Sequence, residues 1–522
     1  MAFLGMVLAN IVHQLVAPRD LTKPPVVFHY VPWIGCAFSF GMDPLKFMEV
    51  NREKYGSVFT YPLFGRWITA ALGPPGNDFV FNGRLAHVNA EMAYTHLTTP
   101  VFGKEVVYDV PNALFMQQKK FVKFGLTTDN FKRYVPIIVE ETKDYLSKHL
   151  FSNDMNTTAT IDVFLPASEI TICTAAATLQ GREVREAMDK SFADLFHDLD
   201  GGFTPLNFVF PNLPLPSYRR RDRARERLTD FYVEILSKRR ESLDEPDNDM
   251  LTALQNQRYK DGEPLTDRQI AGIMIALLMG GQHTSAATRL DAWQIRLGYP
   301  SSWRAPFTSA LYDEQLEHHG DGNGDFAPLS YETLQTPLLS AFIKEVLRVH
   351  PPVHSLMRKV ISDYPVPASV ASPSAEPGRT PAEKKSLEGF EYSVPKGHFV
   401  LAAPGFSMID DRIWKDAKKF DETRWLDGKM PVAGEEDGEQ EDFGWGVVSK
   451  GGKSAYLPFG AGRHRCIGEH FAHLQVATLL ATLVREMTWT LPAPFPENDY
   501  TTMIVMPKSP RDVCFTRRPA HA

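Results

Sequence analysis

Phe459-Gly460-Ala461-Gly462-Arg463-His464-Arg465-Cys466-Ile467-Gly468 places one cysteine among glycines and basic side chains. Nearby positive charge and backbone N–H groups stabilise a thiolate, whereas apolar burial raises the pKa of a thiol. Glycines let the backbone approach a sulfur atom or a flat cofactor closely. The stretch therefore predicts a cysteine that binds its partner as an anion. The alternative is a buried structural cysteine in a turn.

The composition limits the classes of protein to which the chain can belong. Its 522 residues are 43% hydrophobic, which is enough for a large core. The net charge of −7 argues against nucleic acid as the main partner. The cysteines form no C-x-x-C pair, so they predict neither a disulfide framework nor a zinc site and suit a reducing compartment. They are Cys36, Cys173, Cys466 and Cys514.

The order of local patterns predicts a mainly α protein with a smaller β part. Residues 3–16 are mostly apolar but fewer than the roughly 20 that span a bilayer, so residues 1–23 are predicted to form a short membrane-associating segment. Residues 24–522 are predicted to form one catalytic domain. Short strands are predicted at 55–60 and 67–72, helices dominate from about 112 to 350, and a last strand is predicted at 500–506. No βαβ rhythm is present.

A second informative stretch is a long helix. Thr266-Asp267-Arg268-Gln269 matches a capping box. Residues 270–279 are apolar on every face, so the helix is predicted to be buried. Gly280 and Gly281 follow, and each helical glycine costs about 1 kcal/mol relative to alanine, so a flat or bulky group is expected against the backbone. The Thr284 hydroxyl is predicted to bond to the carbonyl of Gly280 one turn back, in a turn loosened enough to hold a ligand of the size of oxygen.

A third stretch, Lys344-Glu345-Val346-Leu347-Arg348, carries a charge pair. Glu345 and Arg348 share a helix face at i, i+3. Apolar neighbours surround the pair, so it is predicted to be buried, and buried charges must be paired and hydrogen-bonded. A further arginine, Arg424, lies in the stretch Phe420-Asp421-Glu422-Thr423-Arg424-Trp425, which begins about seventy residues later.

These three stretches together resemble the cytochrome P-450 family of haem-thiolate monooxygenases. The chain matches the family's cysteine-loop pattern, F-x-x-G-x-R-x-C-x-G, at Phe459, Gly462, Cys466 and Gly468, and has His464 at the arginine position. The resemblance implies the cytochrome P-450 fold, a triangular prism of helices around a buried haem b. It implies that Cys466 is the axial iron ligand, because a thiolate ligand favours O–O cleavage. Glu345, Arg348 and Arg424 are then expected to lock together behind the haem.

The same resemblance assigns the long helix to the distal face of the haem. An acid–alcohol pair manages protons for oxygen activation there in the family, and the pair in this chain is His283-Thr284. Histidine in place of the usual carboxylate resembles the eukaryotic sterol 14α-demethylases. Histidine still relays protons near neutral pH.

Further stretches, at residues 94–103, 106–109, 118–121, 202–216 and 354–359, resemble the fungal members of that group. By this resemblance the cofactor-binding residues are Cys466, Tyr94, Tyr108, Lys119, Arg358, His464, Phe459 and Gly460. Tyrosine hydroxyls and cationic side chains suit haem propionates. The substrate cavity is expected to be lined by Leu97, Thr98, Phe102, Val107, Phe203, Pro205, Phe208, Ala276, Leu277, Gly280, His354, Ser355, Leu356 and Met503. These residues are mostly apolar, as a rigid sterol requires.

The implied activity is sterol 14α-demethylation in ergosterol biosynthesis. Three O₂- and NADPH-dependent oxidations remove the 14α-methyl group of lanosterol or eburicol as formate, with electrons from NADPH–cytochrome reductase. The resemblance also implies azole inhibitors, a membrane surface as partner, and an endoplasmic reticulum location with the catalytic domain facing the cytosol.

Two alternatives remain open at this point. One is a monooxygenase of another lipid or a xenobiotic. The other is an inactive haem-binding paralogue, because residues 289–310 depart from the family pattern. Within that stretch, Gly298 and Pro300 are predicted to end the long helix.

Overall fold

Helices dominate the structure, which confirms the predicted class. The structure is a computed structural model and describes residues 2–151, 158–188, 190–201, 207, 210–242, 249–298, 307–322, 325–371, 390–426, 440–442, 447–449, 451–491 and 496–518. The first helices are α1 (Ala2–Val16), α2 (Ala37–Met42), α3 (Pro44–Tyr55), α4 (Gly73–Phe81), α5 (Glu91–Phe102), α6 (Asn112–Lys123), α7 (Thr128–Tyr145), α8 (Phe164–Ala175), α9 (Arg182–Glu186) and α10 (Lys190–Asp200). The later helices are α11 (Pro216–Glu241), α12 (Met250–Gln255), α13 (Asp267–Gly298), α14 (Phe307–His319), α15 (Pro337–Val349), α16 (Pro404–Met408) and α17 (Glu469–Glu486).

The strands form small sheets. In chain order they are β1 (Val58–Leu63), β2 (Arg66–Ala71), β3 (Val88–Asn89), β4 (Thr158–Asp162), β5 (Leu356–Val360), β6 (Tyr364–Pro367), β7 (Phe390–Val394), β8 (Phe399–Ala402), β9 (Gln440–Asp442), β10 (Val447–Ser449), β11 (Met487–Thr490), β12 (Asn498–Asp499), β13 (Met506–Pro507) and β14 (Asp512–Arg517). The largest sheet has the order β1-β2-β8-β5-β3. Its β2 and β8 are parallel and its other pairs are antiparallel.

Two of the predicted strands are confirmed and one is wrong. β1 and β2 form a hairpin in which Val58 opposes Ala71. The strand predicted at 500–506 is instead the connection of a short hairpin, in which β12 pairs with β13. Side-chain oxygens hold this connection: Thr501 N donates to Asp499 Oδ1 at 2.8 Å, and Thr502 Oγ1 donates to the Ile504 carbonyl. Such local bonds favour a turn over a ladder, although the residues are β-formers.

Helix α13 runs through the core. The predicted capping box is formed, since Gln269 N donates to Thr266 Oγ1 at 3.2 Å and Thr266 N donates to Gln269 Oε1 at 2.9 Å. Among the described residues, its segment Asp267–Thr288 is the one helix long and apolar enough to cross a membrane, and 67% of the apolar window is buried by the rest of the protein. This burial is typical of a core helix. Helix α13 is described as far as Gly298, and Pro300, at which the helix is also predicted to end, lies outside the described residues.

Helix α1 lies outside the core. None of its residues is buried, and the exposed side chains include Phe3, Leu4 and Leu15. Its amide side chains bind the segment that leads into β1, because Asn10 Nδ2 and Gln14 Nε2 both donate to the carbonyl of His29, at 2.8 and 2.7 Å. The membrane association of residues 1–23 and the domain boundary after them stay predictions.

The start of α15 depends on a carboxylate from α14. Glu314 accepts hydrogen bonds from Thr336 Oγ1 at 2.7 Å and from the backbone N–H groups of Leu338 and Leu339. These N–H groups belong to the first turn of α15, which has no intrahelical acceptor for them. Negative charge at a helix N-terminus is also favourable. We expect Glu314 to fix the position at which α15 begins.

Glu314→Ala should lower the free energy of unfolding by about 1–2 kcal/mol, because it leaves these donors without their acceptor. The urea midpoint of the haem-bound protein measures this effect. Glu317→Ala, on an exposed position of the same helix, is the matched control and should leave the midpoint unchanged. Equal midpoints for the two variants would contradict the capping role.

Candidate functional site

The cysteine loop is held in a tight turn. Cys466 N donates to the Phe459 carbonyl at 3.0 Å. Gly460 and Gly462 have φ of +68° and +63°, in the left-handed region that favours glycine. A Cβ at Gly462 would also lie 2.4 Å from Asn82 Oδ1. Glycine is therefore required at Gly462 by both backbone angle and space.

The Cys466 thiol is accessible but surrounded by protein. Its side chain has accessible surface, yet burial raises the pKa of the thiol. A backbone hydrogen bond from Gly468 and the charges of Lys119 and Arg465 lower the pKa, but burial is the larger effect. The loop by itself thus favours a neutral thiol. A coordinated metal ion would deprotonate it, since a coordinating thiol is ionised outright.

The basic side chains of the loop are turned to other partners. Arg465 forms a two-bond contact with Glu469, at 2.7 and 2.8 Å. Arg463 NH1 donates to Asn112 Oδ1 at 3.3 Å. This explains why the positive charges seen in the sequence do not by themselves make Cys466 an anion.

Lys119 supports the loop from α6. Its Nζ donates to the carbonyls of Arg463 and Arg465 at 3.2 and 2.8 Å. Burial lowers the pKa of Lys119 to about 7, and interaction with Cys466 opposes that shift. An anion beside this ammonium group would offset the cost of burying its charge.

Arg358 lies at the centre of a group of hydroxyl and cationic side chains. It is buried on β5, where the neighbouring Met357 N donates to Tyr94 OH at 2.8 Å. Burial raises the pKa of Tyr94 and of Tyr108, and the charge of Arg358 opposes both shifts. The Tyr94 and Tyr108 rings lie 5.2 Å apart. Residues distant in sequence therefore form one electropositive corner.

His464, a residue of the cysteine loop, closes this corner. Its ring lies 6.1 Å from that of Tyr108 and is stacked on Phe115 at 5.7 Å. Burial lowers the pKa of His464 well below its usual range, and the charges of Arg358 and Lys119 lower it further. Its Nδ1 is buried with no hydrogen-bond partner among the described residues.

These residues fit a haem. Buried cationic and hydroxyl groups suit two propionates, and the unpartnered Nδ1 of His464 is a nitrogen that such a carboxylate group can satisfy. Among the described residues, no group of three His, Cys, Asp or Glu side chains is arranged to hold a metal ion. The lone Cys466 therefore suits a metal whose remaining ligands come from a cofactor.

The distal turn of α13 is open on the side of its glycines. A Cβ at Gly280 or Gly281 would meet no atom of the described residues within 4 Å. Thr284 Oγ1 donates to the Gly280 carbonyl at 2.7 Å, the bond that the sequence predicted. Ile467, next to Cys466, packs against the hydrophobic cluster that contains Met279 of the same helix. The cysteine loop and α13 thus contribute to one hydrophobic cluster.

His283 is joined to an acidic residue of another helix. Its Nε2 lies 2.6 Å from Oδ1 of Asp200, at the end of α10. The contact is not aligned as a hydrogen bond, and it becomes an ion pair when the imidazole is protonated. Both side chains are partly exposed, at 21% and 30%. The pair therefore lies between α13 and the solvent-exposed surface of the protein.

The expected substrate residues that the structure describes come from several elements. Leu97, Thr98 and Phe102 lie on α5, Ala276, Leu277 and Gly280 on α13, His354 and Ser355 before β5, and Leu356 in β5. Val107 begins a short 3₁₀ turn, and Met503 lies in the hairpin that packs on α13. Phe102, Val107 and Leu277 pack against the cluster around α13. Phe203, Pro205 and Phe208 lie outside the described residues.

Glu345, Arg348 and Arg424 meet in the interior. Arg348 Nε and NH2 donate to the Glu345 carboxylate at 2.8 and 2.7 Å, with both side chains fully buried. Arg424 Nε donates to Glu345 Oε1 at 3.3 Å. Trp425 Nε1 and Asp421 N donate to the same carboxylate at 2.9 and 2.8 Å. The charges are therefore paired and hydrogen-bonded, as burial requires.

Sequence reasoning missed two parts of the site. Asp200 carries no motif, and only the packing of α10 beside α13 brings it to His283. Trp425 was quoted as a neighbour of Arg424, yet its indole N–H is a direct partner of Glu345. No local spacing in the chain indicates either contact.

Comparisons with known proteins agree with this geometry. A family model described as cytochrome P-450 matches residues 24–370 and 376–515. A lanosterol 14-alpha demethylase of Mycosarcoma maydis is 52% identical over 513 residues, which cover 96% of this chain and 89% of that protein. Another from Schizosaccharomyces pombe is 45% identical over 510 residues, covering 97% of this chain and 96% of the relative.

A solved structure supports the fold. The retinoic acid-bound cyanobacterial CYP120A1 is similar with a TM-score of 0.73 at 21% identity, over 96% of this chain and all of that chain. At this identity the likeness concerns the architecture alone.

Glu345→Gln should lower the free energy of unfolding by about 3–5 kcal/mol, because the neutral amide leaves the buried Arg348 and Arg424 without a counter-charge. The thermal midpoint and the haem content of the purified protein measure the effect. Glu234→Gln makes the same change in the exposed pair with Lys238 and should leave both unchanged. A Glu345→Gln protein as stable as the control would mean that the buried charges are compensated elsewhere.

Proposed function

The chain belongs to the cytochrome P-450 family, and on that premise we propose that it removes the 14α-methyl group of a sterol, lanosterol or eburicol, in ergosterol biosynthesis. It is a haem-thiolate monooxygenase that acts three times on one methyl group, through alcohol and aldehyde to formate. The observation that carries this function is the 52% identity, over nearly the whole chain, to a lanosterol 14-alpha demethylase.

Haem, when bound, supplies the iron at which O₂ is reduced with electrons passed from NADPH by a reductase. We propose Cys466 as the axial ligand. The Gly468 N–H and the nearby Lys119 charge favour the thiolate, whereas burial favours the thiol. The Gly468 N–H and the Lys119 charge would therefore stabilise the negative charge of a sulfur ionised by a bound metal.

Five side chains are proposed to hold the propionates. They are Tyr94, Tyr108, Arg358, His464 and Lys119, with Phe459 and Gly460 in the loop beside them. Their shared environment is buried and electropositive, which disfavours an uncompensated positive charge and favours a bound anion. A carboxylate there would stabilise the charged forms of Lys119 and His464, whose pKa values burial lowers.

Thr284 and His283 are proposed to handle protons. The Thr284 hydroxyl donates to the Gly280 carbonyl at 2.7 Å, so Oγ1 has a fixed position and its lone pairs can accept a hydrogen bond from a proton donor in the cavity. His283 lies within contact of the Asp200 carboxylate, which can exchange a proton with the imidazole. The pair supports a relay from the partly exposed Asp200 toward the cavity.

The mostly apolar cavity residues are proposed to orient the sterol and to exclude water. Leu97, Ala276, Leu277 and Leu356 offer apolar walls on two sides of the distal turn. Excluding water strengthens the polar interactions that remain inside and limits side reactions. The same cavity would admit azoles, whose ring nitrogen competes for the iron.

The membrane and the electron donor complete the proposal. The exposed apolar side chains of α1 support attachment to the endoplasmic reticulum, with the catalytic domain on the cytosolic side. An NADPH–cytochrome reductase is the expected donor there.

The test is a reconstituted assay with the reductase, NADPH and either lanosterol or eburicol. We expect 14-demethylated sterol and formate, together with a red-shifted Soret band in the carbonyl difference spectrum of the reduced protein. Cys466→Ala should abolish that band, because no other thiolate replaces the ligand. A normal band without demethylated product from either sterol would exclude the sterol assignment, whereas no band at all would favour an inactive protein.

Thr284→Ala should reduce product formation about a hundredfold, because it removes a proton-carrying group from the distal turn. The carbonyl spectrum and sterol binding should remain, while NADPH consumption exceeds product. Thr288→Ala is the matched control, since Thr288 makes the same bond one turn later, Oγ1 to the Thr284 carbonyl at 2.9 Å. Equal losses of product in both variants would mean that Thr284 acts on helix stability alone.

A further inference from the structure

One buried carboxylate beside the electropositive corner has no part in the function proposed above. Glu91 begins α5 and is only 6% exposed. Its Oε1 accepts a hydrogen bond from Asn112 Nδ2 at 2.8 Å, whereas its Oε2 is buried without a hydrogen-bond partner among the described residues. A buried charge is costly unless neighbouring charges compensate it. We therefore asked which charges of the site Glu91 acts on.

Asn112 links this carboxylate to the cysteine loop. Its Oδ1 accepts a hydrogen bond from Arg463 NH1 at 3.3 Å, while its Nδ2 donates to Glu91. The two partners fix the direction of the amide, because an ionised carboxylate only accepts hydrogen bonds and a guanidinium only donates them. Burial lowers the pKa of Arg463, and the charges of Glu441 and Glu91 oppose that shift. Glu91 therefore helps to keep a loop arginine charged and in place.

The Tyr108 hydroxyl is influenced by both Glu91 and the cysteine. Burial raises the pKa of Tyr108 and the charge of Arg358 opposes this shift, whereas the charges of Glu91 and Cys466 raise the pKa further. Thr95 ties the two segments together, since its Oγ1 donates to the Glu91 carbonyl at 2.7 Å and to the Tyr108 carbonyl. A negative charge at Glu91 therefore acts on the same hydroxyl as a negative charge at Cys466.

Burial decides how strongly such a charge acts. Water and salt screen exposed charges, whereas buried charges are screened much less. Glu441 is partly exposed, but Glu91 is buried. Reduction of an iron atom at Cys466 adds a negative charge to the surroundings that Glu91 already makes more negative. Like charges repel, so the carboxylate disfavours this reduction.

We propose that the Glu91 carboxylate lowers the reduction potential of haem iron bound at Cys466 and holds Arg463 in position through Asn112. This inference rests on the proposed function, specifically on haem at Cys466, and adds a residue that controls the entry of the first electron. Glu91 is a positioning residue, because it acts through other side chains. Its charge restricts reduction of the iron to donors of sufficiently low potential.

The experiment is a redox titration of the haem-bound protein without sterol, in which the Soret spectrum measures the reduced fraction. Glu91→Gln keeps an oxygen that accepts from Asn112 and removes the charge. We expect the equilibrium to shift toward reduced iron about tenfold, which is about 59 mV for a one-electron couple. A role in packing alone would not produce this rise.

Glu105→Gln is the matched control. Glu105 is an exposed carboxylate on the connection that follows α5, so water and salt screen its charge and the potential should equal that of the wild type. Asn112→Leu cuts the link but keeps the charge of Glu91. It should speed the transfer of haem to apomyoglobin without raising the potential.

A double variant keeps the test independent of the folding of Glu91→Gln. Arg463→Gln removes the positive end of the link and should lower the potential. Glu91→Gln combined with Arg463→Gln removes both charged ends. The reduction equilibrium of the double variant should exceed that of Arg463→Gln by about the same tenfold factor, within the coupling expected of neighbouring groups.

An unchanged potential in Glu91→Gln, with a normal carbonyl spectrum, overturns the inference. Equal potentials for Arg463→Gln and the double variant do the same, and so does a rise of equal size in Glu105→Gln or Asn112→Leu. Failure of the proposed function is distinct, because no sterol enters the titration. A protein that shows the expected shift but demethylates neither sterol retains this inference and loses the sterol assignment.

Discussion

The Glu345 carboxylate, fully buried between two arginines, is the interaction on which the site depends. Arg348 also donates to the carbonyls of Met408, Ala417 and Lys419. One guanidinium thereby ties α15 to an irregular segment whose carbonyls would otherwise be unsatisfied. Trp425, bonded to the same carboxylate, contacts Tyr456 with ring centroids 4.7 Å apart. Tyr456 leads directly into the cysteine loop, so the buried charges fix the support of Cys466.

The ionisable groups around Cys466 are a second determinant of the properties of the site. Burial is the dominant effect there: it raises the pKa of the thiol and lowers those of Lys119 and His464. In all three groups the same dry environment disfavours the charged form. A cation at the sulfur and anions at the basic corner would compensate these costs together. Such mutual compensation explains why one cofactor with a charged centre and charged edges suits the site.

Much of the site was predictable because its signals are local. The capping box at Thr266 and Gln269 and the back-bond of Thr284 involve residues within one helical turn. The strand predicted at 500–506 failed for a local reason too, since side-chain bonds of Asp499 and Thr502 favour a turn. The effect of the basic neighbours on the charge of Cys466 could not be predicted from the sequence. In the structure Arg465 is paired with Glu469 and Arg463 with Asn112.

The sequence by itself determined the cysteine loop, the buried long helix and the i, i+3 charge pair, because each follows from spacing within a few residues. Tertiary structure decided the rest. It brought Asp200 to His283 and placed the Lys119 ammonium on the loop carbonyls. These features depend on how distant segments return to one another and on which polar atoms the packing excludes from water. No local pattern in the chain encodes either.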